Sequence, residues 1–282
     1  MERLRAQLSQ EGFATVQQCV DAELLESVDA ALTHVLSGPG NSDILLGATG
    51  LPRKITYPLA MDRRFLVALA HPSLMRLAIA ISPDPEELVL TWEDVLYKPP
   101  LTGECVPVHQ DHQDLAFQSL GGPVYSLGVH LDDAGANPIF FLPGIHRLGP
   151  LTPSEVKALR TTREFVSVAP RAGDVAIHDV LCVHYSVANL APAPRRTWYL
   201  EFRTTRQLAE DGRWPATWAR RRRALLFHAC AARLALGLTT EWPPLGAGET
   251  REQWLAEPFV PRVPHVSHGV EYDLTSPWFH FA

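Results

Sequence analysis

Lysine is nearly missing from this 282-residue chain: Lys54, Lys98 and Lys157 are the only three, while arginine, alanine, proline and leucine abound. The net charge is -6 at pH 7, which argues against a general nucleic-acid binder. There is no run of eighteen apolar residues, so no membrane span is expected. The opening Met1-Glu2-Arg3-Leu4 lacks the apolar core of a secretory signal. Cys19, Cys105, Cys182 and Cys230 are scattered with no Cys-x-x-Cys pair, so they read as reduced packing thiols of a cytoplasmic protein. No internal repeat and no low-complexity linker divides the chain. What is present is an ordinary apolar fraction of 46%, enough for a single domain over residues 1–282 with a sizeable core.

Three textures follow one another along that domain. Residues 1–85 read as a helical segment. Asp21 is placed to cap a helix running to about Leu36, with Leu24, Leu25, Val28, Leu32 and Val35 on one face. Turn formers and small residues make 38–53 a loop. Helices follow from Asp62 to about Ala70 and, after the His71-Pro72 break, from Ser73 to Ile81. From 86 to 205 the apolar runs are short, rich in Val, Ile, Phe, Tyr and Trp, and separated by Pro and Gly. Candidate strands are 88–97, 106–111, 124–131, 139–142, 165–168, 175–178 and 197–205, with a short helix starting at Pro153-Ser154. The last strand alternates, with Trp198, Leu200 and Phe202 against Thr197, Tyr199, Glu201 and Arg203. This pattern points to a sandwich or barrel. Residues 206–282 hold a helix from Ala216 to Leu236, ended by Gly237, and then an irregular, Pro-rich and aromatic stretch. The run Arg220-Arg221-Arg222-Arg223 reads as a solvated helix face, with an anion-binding patch as the alternative.

The chain is organised around Pro107-Val108-His109-Gln110-Asp111-His112-Gln113-Asp114, two overlapping copies of His-x-Asp. On an extended strand, residues i and i+2 share a face, so one strand can offer a histidine and a carboxylate to one metal. That pairing suits an iron(II) bound by two histidines and one carboxylate, with positions left open. The third ligand must come from elsewhere, and His184 is the candidate. The two copies differ by an odd offset, so on a regular strand His112 faces away from His109 and both pairs cannot serve the same metal. Gln110, between the first pair, faces away as well.

Further motifs follow in order: Lys98-Pro99-Pro100 ahead of Pro107-Val108-His109-Gln110-Asp111, then Pro143-Gly144-Ile145-His146, Ala172-Gly173-Asp174, and His184 with Arg195 eleven residues later. Over roughly residues 54–205 this order and spacing resembles the phytanoyl-CoA dioxygenase family of iron(II)/2-oxoglutarate oxygenases. The resemblance selects His109 and Asp111 over His112 and Asp114, and His184 over His178, which then belongs to the core or supports the ligands from behind. It implies a mostly β fold with flanking helices, a double-stranded β-helix (jelly-roll, cupin-like) core. It implies Fe(2+) on His109, Asp111 and His184, with 2-oxoglutarate and O2 taking the open positions and ascorbate a candidate reductant. Arg195 would grip the distal carboxylate of 2-oxoglutarate bidentately, Ser186 would donate a hydroxyl bond, and Lys54 and Lys98 are further cosubstrate-binding candidates. Arg196 should face away, in a surface or structural ion pair. Asp132 and Asp133 read as turn caps, and His130 and His146 as packing histidines.

The carboxylate of Asp111 bears on the reaction type. Halogenating relatives carry a small residue there, so hydroxylation, or desaturation or ring chemistry, is expected. The implied substrate is a small molecule, plausibly of bacterial secondary metabolism, with no nucleic acid or membrane partner. Two other readings stand beside this one. The first is a non-catalytic metal-binding or sensing barrel. The second is an acyl-CoA or other ligand-binding module using Arg220 to Arg223. Substrate-contacting residues are expected in 38–53, after Asp114, and among the C-terminal Trp and Phe residues.

Overall fold

The computed structural model describes residues 1–38, 42–47, 49–102, 105–112, 121–135 and 137–262. Gln113, Asp114, the segment after them and the C-terminal Trp278, Phe279 and Phe281 lie outside the described residues.

The chain begins with α1 (Glu2–Glu11), β1 (Phe13–Val16) and α2 (Ala22–Ser37). Asp21 caps α2, its carboxylate accepting from the Leu24 N–H at 3.1 Å, which satisfies a donor that the helix itself cannot. A hairpin follows, β2 (Ile44–Leu46) and β3 (Pro52–Thr56), then α3 (Pro58–Met61), α4 (Arg63–Leu69) and α5 (Pro72–Ile81). Asp62 caps α4 through the Arg64 N–H at 2.9 Å, and Pro72 opens α5, where a missing N–H costs nothing. Next come β4 (Leu88–Lys98), β5 (Val106–His109), β6 (Tyr125–His130), β7 (Ile139–Phe141), α6 (Pro153–Thr162), β8 (Val166–Val168), β9 (Val175–Asp179), β10 (His184–Ser186) and β11 (Arg195–Thr204). The chain then runs through α7 (Thr205–Asp211), α8 (Ala216–Leu234) and α9 (Arg251–Ala256).

Among the described residues the strands form two sheets, one in the order β1-β9-β6-β11-β4-β3-β2 and one in the order β5-β10-β7-β8. Every pairing is antiparallel. The large sheet buries Trp198, Leu200, Phe202, Leu127, Val129, Val175 and Ile177 in one core with α2, α4, α5 and α8. The β11 alternation makes this possible, since every second side chain points to the helices. On the opposite face Gly128 gives space to Tyr199: a Cβ there would sit 2.9 Å from the tyrosine ring.

Three expectations need correction. The N-terminal segment is not purely helical, because β1, β2 and β3 all join the large sheet, and much of 38–53 is the β2–β3 hairpin rather than a loop. His184 to Ser186 forms a strand that local alternation does not reveal, since three residues carry too little pattern. The arginine run is not a solvated face: Arg222 and Arg223 are buried because α8 packs on β4. Arg222 donates to the Leu90 carbonyl at 2.8 Å and pairs with the buried Glu93. Arg223 reaches the Leu88 and Pro244 carbonyls and Glu249. These internal commitments leave neither guanidinium available to grip a phosphate. No single helix among the described residues is long and apolar enough to cross a membrane.

Candidate active site

Strands β5 and β10 are neighbours with His184 directly opposite His109. Opposed residues of an antiparallel pair point to one face, and the two imidazole centroids lie 4.3 Å apart. Each ring is held from behind: His109 Nδ1 donates to the Pro107 carbonyl at 2.8 Å, and His184 Nδ1 to the Cys182 carbonyl at 2.9 Å. Both Nε2 atoms are thereby left as lone-pair donors. Asp111 follows β5, its N–H anchored on the Val180 carbonyl at 2.9 Å. Its Oδ1 lies 3.3 Å from His109 Nε2 and 3.7 Å from His184 Nε2. The ligand atoms of His109, Asp111 and His184 all fall within 4.8 Å of one another. Two nitrogens and one oxygen gathered on one side fit a divalent metal that keeps open positions.

The other carboxylate oxygen of Asp111 accepts from His178 Nε2 at 2.7 Å. His178 belongs to β9 of the large sheet, so this bond ties the two sheets together at the site and fixes the carboxylate's orientation. Burial alone would raise the Asp111 carboxyl, yet the imidazoles of His184 and His178 hold it well below the usual carboxylate range. Burial, aided by the neighbouring His109, pushes His184 down to about 3. Asp111 is thus held as a carboxylate and His184 as a neutral imidazole, the forms that bind metal, while for His109 burial is outweighed by the hydrogen bond and charge of Asp111, which raise it.

His112 turns away from His109, its Nε2 lying 2.9 Å from Glu201 Oε2 on the large sheet. Gln110 also turns away, donating to the Gly149 and Leu181 carbonyls at 3.1 and 2.7 Å and accepting from the Leu151 N–H at 2.8 Å.

Arg195 opens β11 opposite Lys98 of β4. It is 3% exposed, and its Nε and Nη2 have no partner among the described residues. Ser186 shares a face with His184 and accepts from Lys98 Nζ at 2.8 Å, while the same ammonium donates to the Val187 carbonyl. Lys98 thus links β11's neighbour to the strand that carries the triad's second histidine. Lys54 lies on the same face of the large sheet, opposite Leu96. Its ammonium pairs with Asp94 at 2.8 Å, and that carboxylate also accepts from Trp92 Nε1 at 2.7 Å. Arg196 faces the other way, bonded to Asp132 at 2.8 Å and to Asp29. Asp133 caps the turn at Ala172, accepting from its N–H at 2.9 Å.

Two inward residues escaped sequence reasoning. Burial pushes the Tyr199 hydroxyl up to about 12, with the Arg195 charge opposing and that of Asp111 adding, so it remains a donor. His130 ends β6 opposite Thr197, fully buried. The available signal was period two, since Ser126, Gly128 and His130 alternate with Tyr125, Leu127 and Val129.

The phytanoyl-CoA dioxygenase (PhyH) family model matches residues 8–197. The chain belongs to this family. None of the curated proteins matches it in sequence. Among solved structures, this family member resembles EvdMO1 at 26% identity with a TM-score of 0.61, over 72% of its own length. It spans about half of that protein, 49%. AviO1 from Streptomyces viridochromogenes Tue57 matches at 25% identity with a TM-score of 0.60, over 72% of this chain and 94% of AviO1. The epimerase SnoN, in complex with Fe3+, alpha ketoglutarate and nogalamycin RO, matches at 23% identity with a TM-score of 0.60, over 72% and 83% of the two chains. At that identity the likeness is one of fold. The fold of this phytanoyl-CoA dioxygenase family member is accordingly the double-stranded β-helix, antiparallel sheets with flanking helices, as its sequence led one to expect.

Proposed function

We propose that the chain is an iron(II)- and 2-oxoglutarate-dependent oxygenase that oxidises an unactivated C–H bond of a small molecule, with hydroxylation as the outcome. The observation that carries this reading is the convergence of His109, Asp111 and His184, with the second oxygen of Asp111 held by His178. Family membership supports it, as do the iron and alpha ketoglutarate in the SnoN complex. SnoN's place in nogalamycin biosynthesis favours a small-molecule substrate.

In this reading His109, Asp111 and His184 hold iron(II), whose chemistry when bound with dioxygen and 2-oxoglutarate is an oxidative decarboxylation that equips it to take hydrogen from a substrate. Arg195 holds the distal carboxylate of the cosubstrate through its fork of donors. Ser186 adds a hydroxyl bond, and Lys98 orients Ser186. Lys54, on the same sheet face and paired with Asp94, is a further group for the cosubstrate. His178 keeps the Asp111 carboxylate from rotating off the metal.

The test is turnover of 2-oxoglutarate with iron(II) and ascorbate, read as succinate formed and dioxygen consumed. His109→Ala, Asp111→Ala and His184→Ala should abolish it while the circular dichroism spectrum stays native. His178→Ala should lower activity or metal affinity about 10–100-fold. Full activity in any ligand variant would mean the ligand set is wrong, and a wild-type protein that binds iron but consumes no dioxygen would be a sensor rather than an enzyme.

A further inference from the structure

Two buried side chains on the inner face of the large sheet have nitrogens with no partner among the described residues. Arg195 Nε and Nη2 are one case and His130 Nε2 is the other. They are neighbours by register. Thr197 stands opposite His130, and Arg195 is two residues before Thr197 on the same face, so Arg195 and His130 form a diagonal pair within reach of long side chains. Burial, and then the Arg195 charge, push the His130 imidazole down to about 3. His130 is therefore neutral, with a single N–H.

Thr197 Oγ1 lies 3.4 Å from His130 Nδ1; when that hydroxyl donates, the ring proton sits on Nε2, the tautomer that an anion beside Nε2 selects. The backbone of His130 is fully used, its N–H on the Asp174 carbonyl at 3.0 Å and its carbonyl accepting from Gly173 at 2.9 Å. These two bonds fix the backbone from which the ring projects. Leaving a buried guanidinium and a buried N–H unpaired is costly. An anion with two acceptor oxygens relieves both at once.

We propose that His130 is a second anchor for the distal carboxylate of the 2-oxo acid cosubstrate, its Nε2–H donating to the carboxylate that Arg195 pairs with. This rests on the oxygenase reading above. It makes His130 a positioning residue that selects a five-carbon 2-oxo diacid over 2-oxo acids with no distal charge.

Binding is measured by calorimetry on the iron(II) protein under argon, with 2-oxoglutarate and with 2-oxovalerate, which has the same carbon chain but no distal carboxylate. His130→Phe should weaken 2-oxoglutarate by about tenfold or more, the usual effect of losing a hydrogen bond to a charged group. It should leave 2-oxovalerate within about threefold of wild type. His130→Gln, whose amide N–H reaches the Nε2 position, should keep 2-oxoglutarate within about threefold. Should the Phe variant not fold, the Gln variant and wild-type protein loaded with zinc(II) decide. The His130 Nε2 resonance should shift with 2-oxoglutarate and not with 2-oxovalerate. Unchanged 2-oxoglutarate affinity in the Phe variant, equal losses for both acids, or an unmoved resonance overturns the proposal. A wild-type protein that binds neither acid instead removes the oxygenase reading, and this anchor with it.

Discussion

The two faces of the large sheet use the same strands for opposite purposes. On β11 the outward residues Trp198, Leu200 and Phe202 lie in the helix-covered core. The inward residues between and beside them, Arg195, Thr197, Glu201 and Arg203, are polar and equally buried. Apolar burial on the first face needs no partners beyond close packing. Each polar group on the second face needs one, and the two ends of β11 meet that need differently. At the C-terminal end the protein supplies it: Arg203 bonds Glu201 at 3.0 Å and Asp211 at 2.8 Å, and Glu201 bonds Thr91 at 2.8 Å. At the N-terminal end Arg195, and His130 of the neighbouring β6, have nitrogens with no partner among the described residues. Internally paired and unpaired polar groups are thus separated along one strand face.

The largest effect tests the outer face. Trp198 is fully buried, its ring 5.5 Å from that of Phe65. Trp198→Ala should cost roughly 3–5 kcal/mol in urea unfolding, with the triad intact in whatever fraction stays folded. A cost below about 1 kcal/mol would mean the helices do not anchor the sheet through this residue.

Much of this division could be read in the chain before any coordinates. The period of two at 197–205 separates the faces, and Asp21, Asp62 and Pro72 punctuate the helices through local chemistry alone. Strand geometry pointed to a His-x-Asp pair, but choosing His109 and Asp111 over His112 and Asp114 needed the motif order, and Asp111 lies just past the end of β5. The choice of His184 needed the whole motif order, because β10 is too short to show a pattern and its place beside β5 is a long-range pairing. β1, β2 and β3 were hidden for the same reason. The arginine run misled because charge is a local property, while the face a helix buries is decided by what packs on it. Arg222 and Arg223 follow Arg220 and Arg221 with nothing in the run itself to separate them, yet only the second pair meets β4. His130 looked like a packing histidine because its neighbour Arg195 is distant in sequence and joined to it only by the β6–β11 register.

A sharper test compares two arginines of the same strand face in the metal-free protein. Arg203→Leu removes the buried guanidinium that Glu201 and Asp211 share and should cost about 2–3 kcal/mol. Arg195→Leu removes a buried guanidinium with open donors, so it should be neutral or stabilising while abolishing 2-oxoglutarate binding. Equal destabilisation by the two substitutions would erase the distinction between the ends of β11.

The smallest effect is a pH dependence. His130 takes a proton near 6.5 in the unfolded chain but only near 3 when folded, because burial and then Arg195 oppose its charge. Between those values the unfolded state binds the extra proton, so stability is lost as pH falls through that window. In metal-free wild type, His130 should account for roughly 2 kcal/mol of the loss between pH 7 and pH 5. His130→Gln cannot take up that proton in either state, so its loss over the same interval should be smaller by that amount, while the other buried histidines contribute equally to both proteins. Parallel curves would mean that the imidazole reaches water or a partner in the free protein. The unpaired nitrogens of Arg195 and His130 would then not be held dry by the fold before a ligand arrives.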